Sequence, residues 1–195
     1  MLLITVLKGC EMGRELEQRV RYLLTTSHKP SQRTRTFLKD LASVLPNSER
    51  VSRGKAALEL LGSIASDLGA ERVIIVKEKN GNPHSIEVYS VDGVELVPLG
   101  TIVLRGLSLS SETGRRVYNV KKVCIDENAI DEETKEIIGN LRDLLGLGEC
   151  EGDEDLVASV ERDERGFEVI FRPSGSNLKV GPVIRIARVD RRSRD

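Results

Sequence analysis

The chain has 195 residues, of which 31% are charged and 39% hydrophobic, and its formal net charge at pH 7 is −1. This length and composition are typical of a soluble globular protein with a core of its own. A net charge this close to zero excludes a protein that binds polyanions through overall basicity, so any charged interface must come from charge segregation.

Charge is strongly segregated along the sequence. Residues 14–55 contain ten Lys and Arg against four acids, whereas residues 126–165 contain fifteen acids against four bases. Residues 172–195 are basic again, with seven bases and two acids. Two basic regions therefore flank an acidic one, and they form a single basic surface if they meet in the fold.

The first residues, Met1–Leu7, are apolar but too short to span a membrane, and they lack the basic flank of a signal peptide. They are either an extra edge strand or an extension from a start codon upstream of Met12. The three cysteines, Cys10, Cys124 and Cys150, are widely spaced and odd in number. This pattern argues against a disulfide framework or a zinc site and is consistent with a cytoplasmic protein.

The stretch from Arg21 to residue 55 predicts a short strand, a turn rich in Ser, Lys and Pro, and a helix that ends at Pro46-Asn47. The apolar positions of this helix fall on one face: Phe37, Leu38, Leu41, Val44 and Leu45. Arg33 and Arg35 occupy its beginning, where the helix dipole favours acids. They either belong to a solvated polar face or, with unpaired N–H groups at the helix start, form a phosphate site.

The rest of the first half predicts an α/β pattern. A short strand at 49–53, a helix at 55–68 capped by Gly69 and an apolar strand at 73–76 favour parallel pairing. Turns at Asn80–Pro83 and Asp92-Gly93 then predict hairpins with strands at 85–91 and within 94–104. The Ser- and Gly-rich segment 106–114 is the predicted boundary between two halves.

The second half predicts a strand at 115–125, an acidic amphipathic helix at 131–145 and an acidic loop at 146–155. A hairpin at 156–172 turns at Arg165-Gly166, and a last strand at 183–189 precedes the basic tail. The acidic loop lacks the ligand spacing of a calcium-binding EF-hand.

No motif predicts catalysis. A phosphate-binding loop ending at Gly54-Lys55 would need Gly where Glu49 stands and Ser or Thr where Ala56 stands. His28 and His84 have no metal or acid–base partners beside them. The sequence therefore predicts neither an enzyme, nor a metal, nor a cofactor.

A set of short motifs marks the first third of the chain: Thr25-Thr26-Ser27, Lys29-Pro30-Ser31, Arg33-Thr34-Arg35, Phe37, Asp40-Leu41, Leu45-Pro46-Asn47 and Arg53-Gly54-Lys55. This set resembles the opening signature of the Brix-domain family of ribosome-biogenesis proteins, and two later landmarks match, Gly81-Asn82-Pro83 and Gly181-Pro182. The chain looks most like the short archaeal members, which are related to the small-subunit processome component of eukaryotes. The resemblance covers residues 20–190 and is weakest at 107–175.

The resemblance implies an α/β fold with mixed sheets, in which two similar halves are related by a pseudo-twofold axis. Each half would resemble the anticodon-binding domain of class IIa tRNA synthetases. We therefore predict a single Brix domain over residues 1–195, with an N-terminal half at about 14–105 and a C-terminal half at about 106–190. Residues 1–12 are an extension of uncertain role, and residues 191–195 are a basic tail.

The resemblance also implies a non-catalytic factor that binds precursor ribosomal RNA, with a small guide RNA and ribosomal proteins as further candidate partners. Because Phe37, Tyr22 and Tyr89 are expected in the core, binding through phosphates and RNA shape is favoured over base stacking. The predicted RNA-binding residues are Arg21, Lys29, Arg33, Arg35, Lys39, Arg50, Arg53, Lys55, Arg185, Arg188, Arg191 and Arg192. The alternative is a protein-interaction module whose acidic second half docks basic ribosomal proteins.

Overall fold

A computed structural model describes residues 19–54 and 57–192 of the chain. The predictions for residues 1–12, for most of the segment 13–20, for Lys55 and for residues 193–195 lie outside the described residues. The elements, in chain order, are β1 Tyr22–Thr26, α1 Gln32–Val44, β2 Ser48–Arg50, α2 Leu58–Asp67, β3 Arg72–Lys79, β4 Asn82–Asp92, β5 Glu95–Ser108, α3 Ser110–Thr113, β6 Val123–Ile125, α4 Glu132–Leu145, β7 Leu156–Asp163, β8 Gly166–Pro173 and β9 Val180–Arg191.

One mixed sheet of nine strands joins the described elements, in the order β2-β1-β3-β4-β5-β9-β8-β7-β6. Strand β1 pairs in parallel with β2 and β3, and β6 pairs in parallel with β7, while the other neighbours are antiparallel. The two halves, β1–β5 and β6–β9, meet where β5 pairs with β9. The predicted mixed α/β fold is confirmed.

Two apolar clusters cover the faces of this sheet. The larger one joins α1 and α4 to strands from both halves, and the smaller one joins α2 to β1 and β3. Strand β3 lies between them, since Ile74 and Val76 belong to the first cluster and Val73 and Ile75 to the second. All four side chains are fully buried, as the continuous β-branched run predicts.

The acidic helix predicted at 131–145 is also confirmed. α4 begins after Asp131, whose carboxylate accepts a hydrogen bond from the Thr134 N–H at 2.7 Å, and it ends at Gly146 in a left-handed conformation. Acids in its first turn match the helix dipole. None of the helices in the described ranges is long and apolar enough to cross a bilayer.

Several predicted secondary-structure boundaries are wrong. The last strand, expected at 183–189, is β9 and includes Arg191 of the predicted basic tail, because it pairs with β5 as far as Gly100. The strand expected at 115–125 is restricted to β6, because residues 115–122 pair with no neighbouring strand. In addition, β5 is one long strand that continues through Gly106 to Ser108, because it pairs with β9 along that length.

The cysteine prediction is wrong as well. Cys124 and Cys150 form a disulfide, with their Cα atoms 5.1 Å apart. The reason is the path of the acidic loop, which returns to β6 and forms a bridge between Cys124 and Gly148. A separation of 26 residues conceals this proximity in the sequence.

Two helical glycines offer a matched test of the packing. A Cβ atom at Gly62 in α2 would overlap the main-chain oxygen of Val94, whereas one at Gly139 in α4 would meet no atom within 4 Å. We expect Gly62→Ala to lower the free energy of unfolding by about 1–3 kcal/mol, because overpacking outweighs the gain in helix propensity. Gly139→Ala should instead raise it by about 0.5–1 kcal/mol. Urea unfolding followed by circular dichroism measures both, and the same sign for the two variants would contradict the packing of α2.

Candidate nucleic-acid interface

The start of α1, where the sequence suggests a phosphate site, contains a carboxylate from another element. Ser31 is the N-cap, and its hydroxyl accepts a hydrogen bond from the Thr34 N–H at 3.2 Å. Glu78, near the end of β3, accepts hydrogen bonds from the Ser31 N–H at 2.7 Å and from the Thr34 hydroxyl at 2.6 Å. The acid that α1 lacks in its own first turn is therefore supplied by β3.

These contacts stabilise the charged form of Glu78. The Thr34 hydroxyl lowers the pKa of the Glu78 carboxyl most, followed by the hydroxyl and N–H of Ser31 and then by the more distant Arg35. A fixed negative charge at the helix start competes with a phosphate for the same position. Any anion site in this region must therefore use side chains farther along α1.

Arg33 faces a second acid. Its guanidinium donates to both carboxylate oxygens of Glu112, at 2.6 and 3.2 Å, and to the main-chain oxygen of Leu107 at 3.2 Å. The hydrogen bond from Arg33 lowers the pKa of Glu112, and the same bond raises the pKa of Arg33. This bidentate pair connects α1 to α3 across the end of β5.

The turn after β1 lies beside the segment after β2. The Thr25 hydroxyl donates to the Val51 oxygen at 2.9 Å, and the His28 Nδ1 atom lies 2.6 Å from the Gly54 oxygen. Because β1, β2 and β3 are parallel, their carboxyl ends meet at one edge of the sheet. Lys29 lies in this turn in a left-handed conformation and is exposed.

Among the predicted cations from Arg21 to Arg53, four are exposed and make no ion pair within the described residues: Lys29, Arg35, Lys39 and Arg50. Arg35 and Lys39 lie on the outward face of α1. Arg50 is the register partner of Leu24, whose side chain belongs to the cluster under α1, so it projects on the α1 side of the sheet. We call these four residues the α1 basic surface. Arg53 is half-buried beyond β2, and Lys55 lies outside the described residues.

Arg21 has a structural position. Its guanidinium contacts the Gly146 oxygen at the end of α4, and its Nε atom lies 3.5 Å from Glu71. Tyr22 and Arg72 donate to the neighbouring oxygens of Leu145 and Leu144, at 2.7 and 2.8 Å. Cations and hydroxyls here satisfy the terminal carbonyls of α4 and complement its dipole.

The predicted cations of the last strand do not join the α1 basic surface. Ile184 and Ile186 pack in the cluster under α1, so the alternation of the strand directs Arg185 to the opposite face, where it binds Glu168 at 2.7 Å. Arg188 pairs with Asp190 at 2.9 Å.

Arg191 and Arg192 line a cleft of about 800 Å³ near the start of β3, where Arg191 binds Asp143 at 2.7 Å. The start and the end of β3 are separated by about 25 Å at 3.3 Å per residue. This cleft therefore lies at the end of the sheet opposite Glu78.

The acidic loop 146–155 has its own cation. The Lys122 ammonium binds Glu151 at 2.8 Å and contacts Asp153, and it lies 3.8 Å from the buried Glu154. The hydrogen bond to Asp153 raises the pKa of Lys122, and the hydrogen bond from Lys122 lowers the pKa of Asp153. The three carboxylates are close enough to share a metal ion, but Lys122 already supplies a positive charge beside them.

Asp40, which the sequence analysis names only as part of a motif, is a third acid with a structural role, after Glu78 and Glu112. It is buried on α1, accepts a hydrogen bond from the Ser110 N–H at 2.8 Å and lies 3.7 Å from the Arg116 guanidinium. A signal exists in the sequence, because Asp40 falls among the apolar positions Phe37, Leu41 and Val44 of the helical wheel. Glu78 has no such signal, because its partners lie 44 and 47 residues away.

The chain is similar to known ribosomal biogenesis proteins. No family model matches the chain. A probable Brix domain-containing ribosomal biogenesis protein of Thermococcus kodakarensis is 32% identical over 167 residues, which are 76% of this chain and 80% of that protein. A protein of the same description from Pyrococcus abyssi is 32% identical over 184 residues, covering 84% of this chain and 82% of the relative.

Two solved structures are similar as well. A probable ribosomal biogenesis protein from Aeropyrum pernix superposes with a TM-score of 0.71 at 31% identity, covering 89% of this chain and 97% of that one. An archaeal Imp4-like protein superposes with a TM-score of 0.63 at 24% identity, covering 86% of this chain and 97% of that one. It shows that the two proteins share a fold.

The Glu78 contact predicts a defined pH dependence of stability. We expect Glu78→Gln to lower the free energy of unfolding at neutral pH by about 1–2 kcal/mol, because charge-assisted hydrogen bonds at the α1 start are weakened. The folded-state pKa lies below the ordinary value of 4.5, so the contribution is complete above that value and is lost as pH falls through the folded-state pKa. The deficit of the variant should therefore shrink in acid.

Urea unfolding at about pH 7 and about pH 3.5 measures this difference. Glu95→Gln is the matched control, because Glu95 is exposed at the start of β5 and has no ion pair among the described residues. A Glu78→Gln deficit that is the same at both pH values would show that the charge of Glu78 is not responsible.

Proposed function

Since the chain belongs to the family of Brix domain-containing ribosomal biogenesis proteins, we propose that it is a non-catalytic assembly factor that binds precursor ribosomal RNA. The observation that carries this proposal is the α1 basic surface, Lys29, Arg35, Lys39 and Arg50. Cations without acid partners can bind phosphates at the lowest cost, since no ion pair has to be broken.

The paired cations fit this role less well. Arg21, Arg33, Arg185, Arg188 and Arg191 all bind acids, so a phosphate would have to displace a carboxylate from each of them. Arg53, on the segment beyond β2, and Lys55 stay candidates for further phosphate contacts. Arg192 is a candidate for a separate contact at the other end of the sheet.

We also propose that the two halves are related by a pseudo-twofold axis, as in duplicated anticodon-binding domains. The order of pairing supports this idea. In each half a strand is followed by a helix, and a parallel pair continues into two antiparallel strands, β1/β3/β4/β5 and β6/β7/β8/β9. The last strands of the two halves, β5 and β9, are the ones that pair.

The remaining parts of the proposal concern partners and location. Precursor ribosomal RNA is the main ligand, and a small guide RNA and ribosomal proteins are further candidates. The names of the relatives support assembly with ribosomal components in general. We keep the cytoplasm as the proposed location on the strength of the relatives' names, since the Cys124–Cys150 disulfide removes the argument from the cysteines.

A second candidate function is the docking of basic ribosomal proteins by the acidic half. The exposed acids of α4 and of the acidic loop favour it. Glu136 makes no ion pair among the described residues, whereas Glu132, Glu133, Glu149 and Glu151 each pair with a cation of this chain. The test is a pull-down from an extract treated with nuclease. If the protein still retains all its partners, docking of proteins is supported over RNA binding.

The α1 basic surface is tested by charge reversal. We expect Arg35→Glu/Lys39→Glu to abolish binding to a single-stranded ribosomal RNA fragment, because two phosphate contacts become repulsive. Any residual binding should show a slope of log K against log salt that is shallower by about 1.4, since each phosphate contact contributes about 0.7. Fluorescence anisotropy across a salt titration measures both quantities, with circular dichroism to verify folding.

Lys135→Glu/Arg165→Glu is the matched control, because it changes the net charge equally on exposed positions of the second half. If both double variants weaken binding to the same extent, net charge and not the α1 basic surface determines affinity. Arg33 is left unchanged in this design, since its replacement would break the Glu112 pair and confuse binding with stability.

A further inference from the structure

The segment 115–122 connects α3 to β6 without regular secondary structure, yet it is held in place. Val117 and Val120 pack against the main apolar cluster. Arg116 lies 3.7 Å from the buried carboxylate of Asp40 on α1. The segment is therefore attached to α1 through both apolar and ionic contacts.

The far end of the segment is fixed by a carboxylate. Asp155 accepts hydrogen bonds from the main-chain N–H groups of Lys121 and Lys122, at 2.7 and 3.0 Å. These bonds lower the pKa of Asp155. Because contacts lie on both sides of Tyr118, this side chain is presented from a preorganised backbone.

Tyr118 differs from the other aromatic residues. The chain contains three Tyr and three Phe and no Trp, and all six lie in the described part. Four of them are buried, and Tyr89 is half-buried with its hydroxyl on Glu87. Tyr118 is 75% exposed. A large exposed aromatic side chain on a fixed segment is typical of a binding contact.

Tyr118 forms part of the wall of a groove of about 420 Å³ between the segment 115–122 and the end of α1. The groove is also lined by two amides, Asn47 and Asn119, and by the ammonium-bearing Lys121. Amides offer both donors and acceptors, which is what the edge of a nucleobase requires. A π-face beside such groups suits a base that has left its stack.

The groove continues the α1 basic surface. Arg35, Lys39 and Ser43 follow one another at i, i+4 and i+8 on α1, and Ser43 lines the groove. The distance from Arg35 to Ser43 along the helix axis is about 12 Å. A strand that contacts the two cations with its phosphates therefore reaches the groove within a few nucleotides.

We propose that Tyr118 stacks on an unpaired base of single-stranded RNA whose neighbouring phosphates contact Lys39 and Arg35. This inference rests on the proposed RNA-binding function and specifies its ligand as single-stranded RNA with an accessible base. A duplex keeps its bases stacked, so it offers no free base face to the Tyr118 ring. The Tyr118 groove is thus a base subsite that adds discrimination to an electrostatic surface.

The test compares Tyr118→Ala and Tyr118→Phe on two probes, a single-stranded ribosomal RNA oligonucleotide and a hairpin duplex of equal length. We expect Tyr118→Ala to weaken single-strand binding by about tenfold, because base–aromatic stacking is lost. Duplex binding and the salt slope should not change, since no charge is altered. Tyr118→Phe should bind like the wild type, since the phenyl ring keeps the stacking face.

A second readout reports the stack directly. A 2-aminopurine base in the single strand should be quenched by the wild type and by Tyr118→Phe but not by Tyr118→Ala. Circular dichroism serves as the folding control for each variant.

Different results overturn different proposals. If Tyr118→Ala binds the single strand as tightly as the wild type while Arg35→Glu/Lys39→Glu does not, the base subsite is wrong and the α1 basic surface stands. Equal weakening on both probes would also contradict stacking. A further outcome is that, in a nuclease-treated pull-down, Tyr118→Ala loses a ribosomal protein that the wild type retains while its RNA affinity is unchanged. That result would identify the groove as a protein-docking site. A wild-type protein that binds neither RNA overturns the proposed function itself.

Discussion

The pairing of β5 with β9 is the constraint on which the rest of the fold depends. It makes one sheet from two halves, and it lets a single apolar cluster include Ile102 of the first half and Ile184 of the second. α1 crosses this junction, since the side chain of Val44 lies close to Gly181 at the start of β9. A helix that begins in one half therefore ends against the other. This position is what brings the segment 115–122 beside the end of α1.

Electrostatic compensation from distant elements is the second organising feature. α1 carries no acid in its first turn, yet Glu78 and Glu112 approach its first residues from β3 and α3. The buried Asp40, farther along α1, accepts a hydrogen bond from the N–H group at the start of α3 and lies beside the guanidinium of Arg116. Each carboxylate is satisfied by hydrogen bonds, as burial or close approach requires. Fewer cations of this region are therefore unpaired than the sequence suggests, and those carried by α1 itself lie on its outward face.

The parts of the fold that depend on local patterns could be predicted from the sequence. Residues close together in the sequence are enough to predict the apolar face of α1, the buried run of β3 and the Asp131 cap of α4. The parts that depend on tertiary proximity could not, since nothing near Glu78 or Cys150 in the sequence identifies its partner. Tyr118 was overlooked for the same reason. Val117, Tyr118 and Val120 are residue types that favour a strand, whereas only the fold shows that the two valines anchor an irregular segment.

The two faces of α1 explain why one helix can serve both stability and binding. Its inward face is apolar and closes the junction between the halves, so substitutions there affect the whole sheet. Its outward face carries Arg35 and Lys39 with no acid in ion-pair contact among the described residues, so substitutions there change the local potential and leave the packing intact. A rigid helix also fixes the spacing between these cations and the Tyr118 groove. An RNA strand that meets this surface encounters charges and an aromatic ring at preset distances, which lowers the entropic cost of ordering the site on binding.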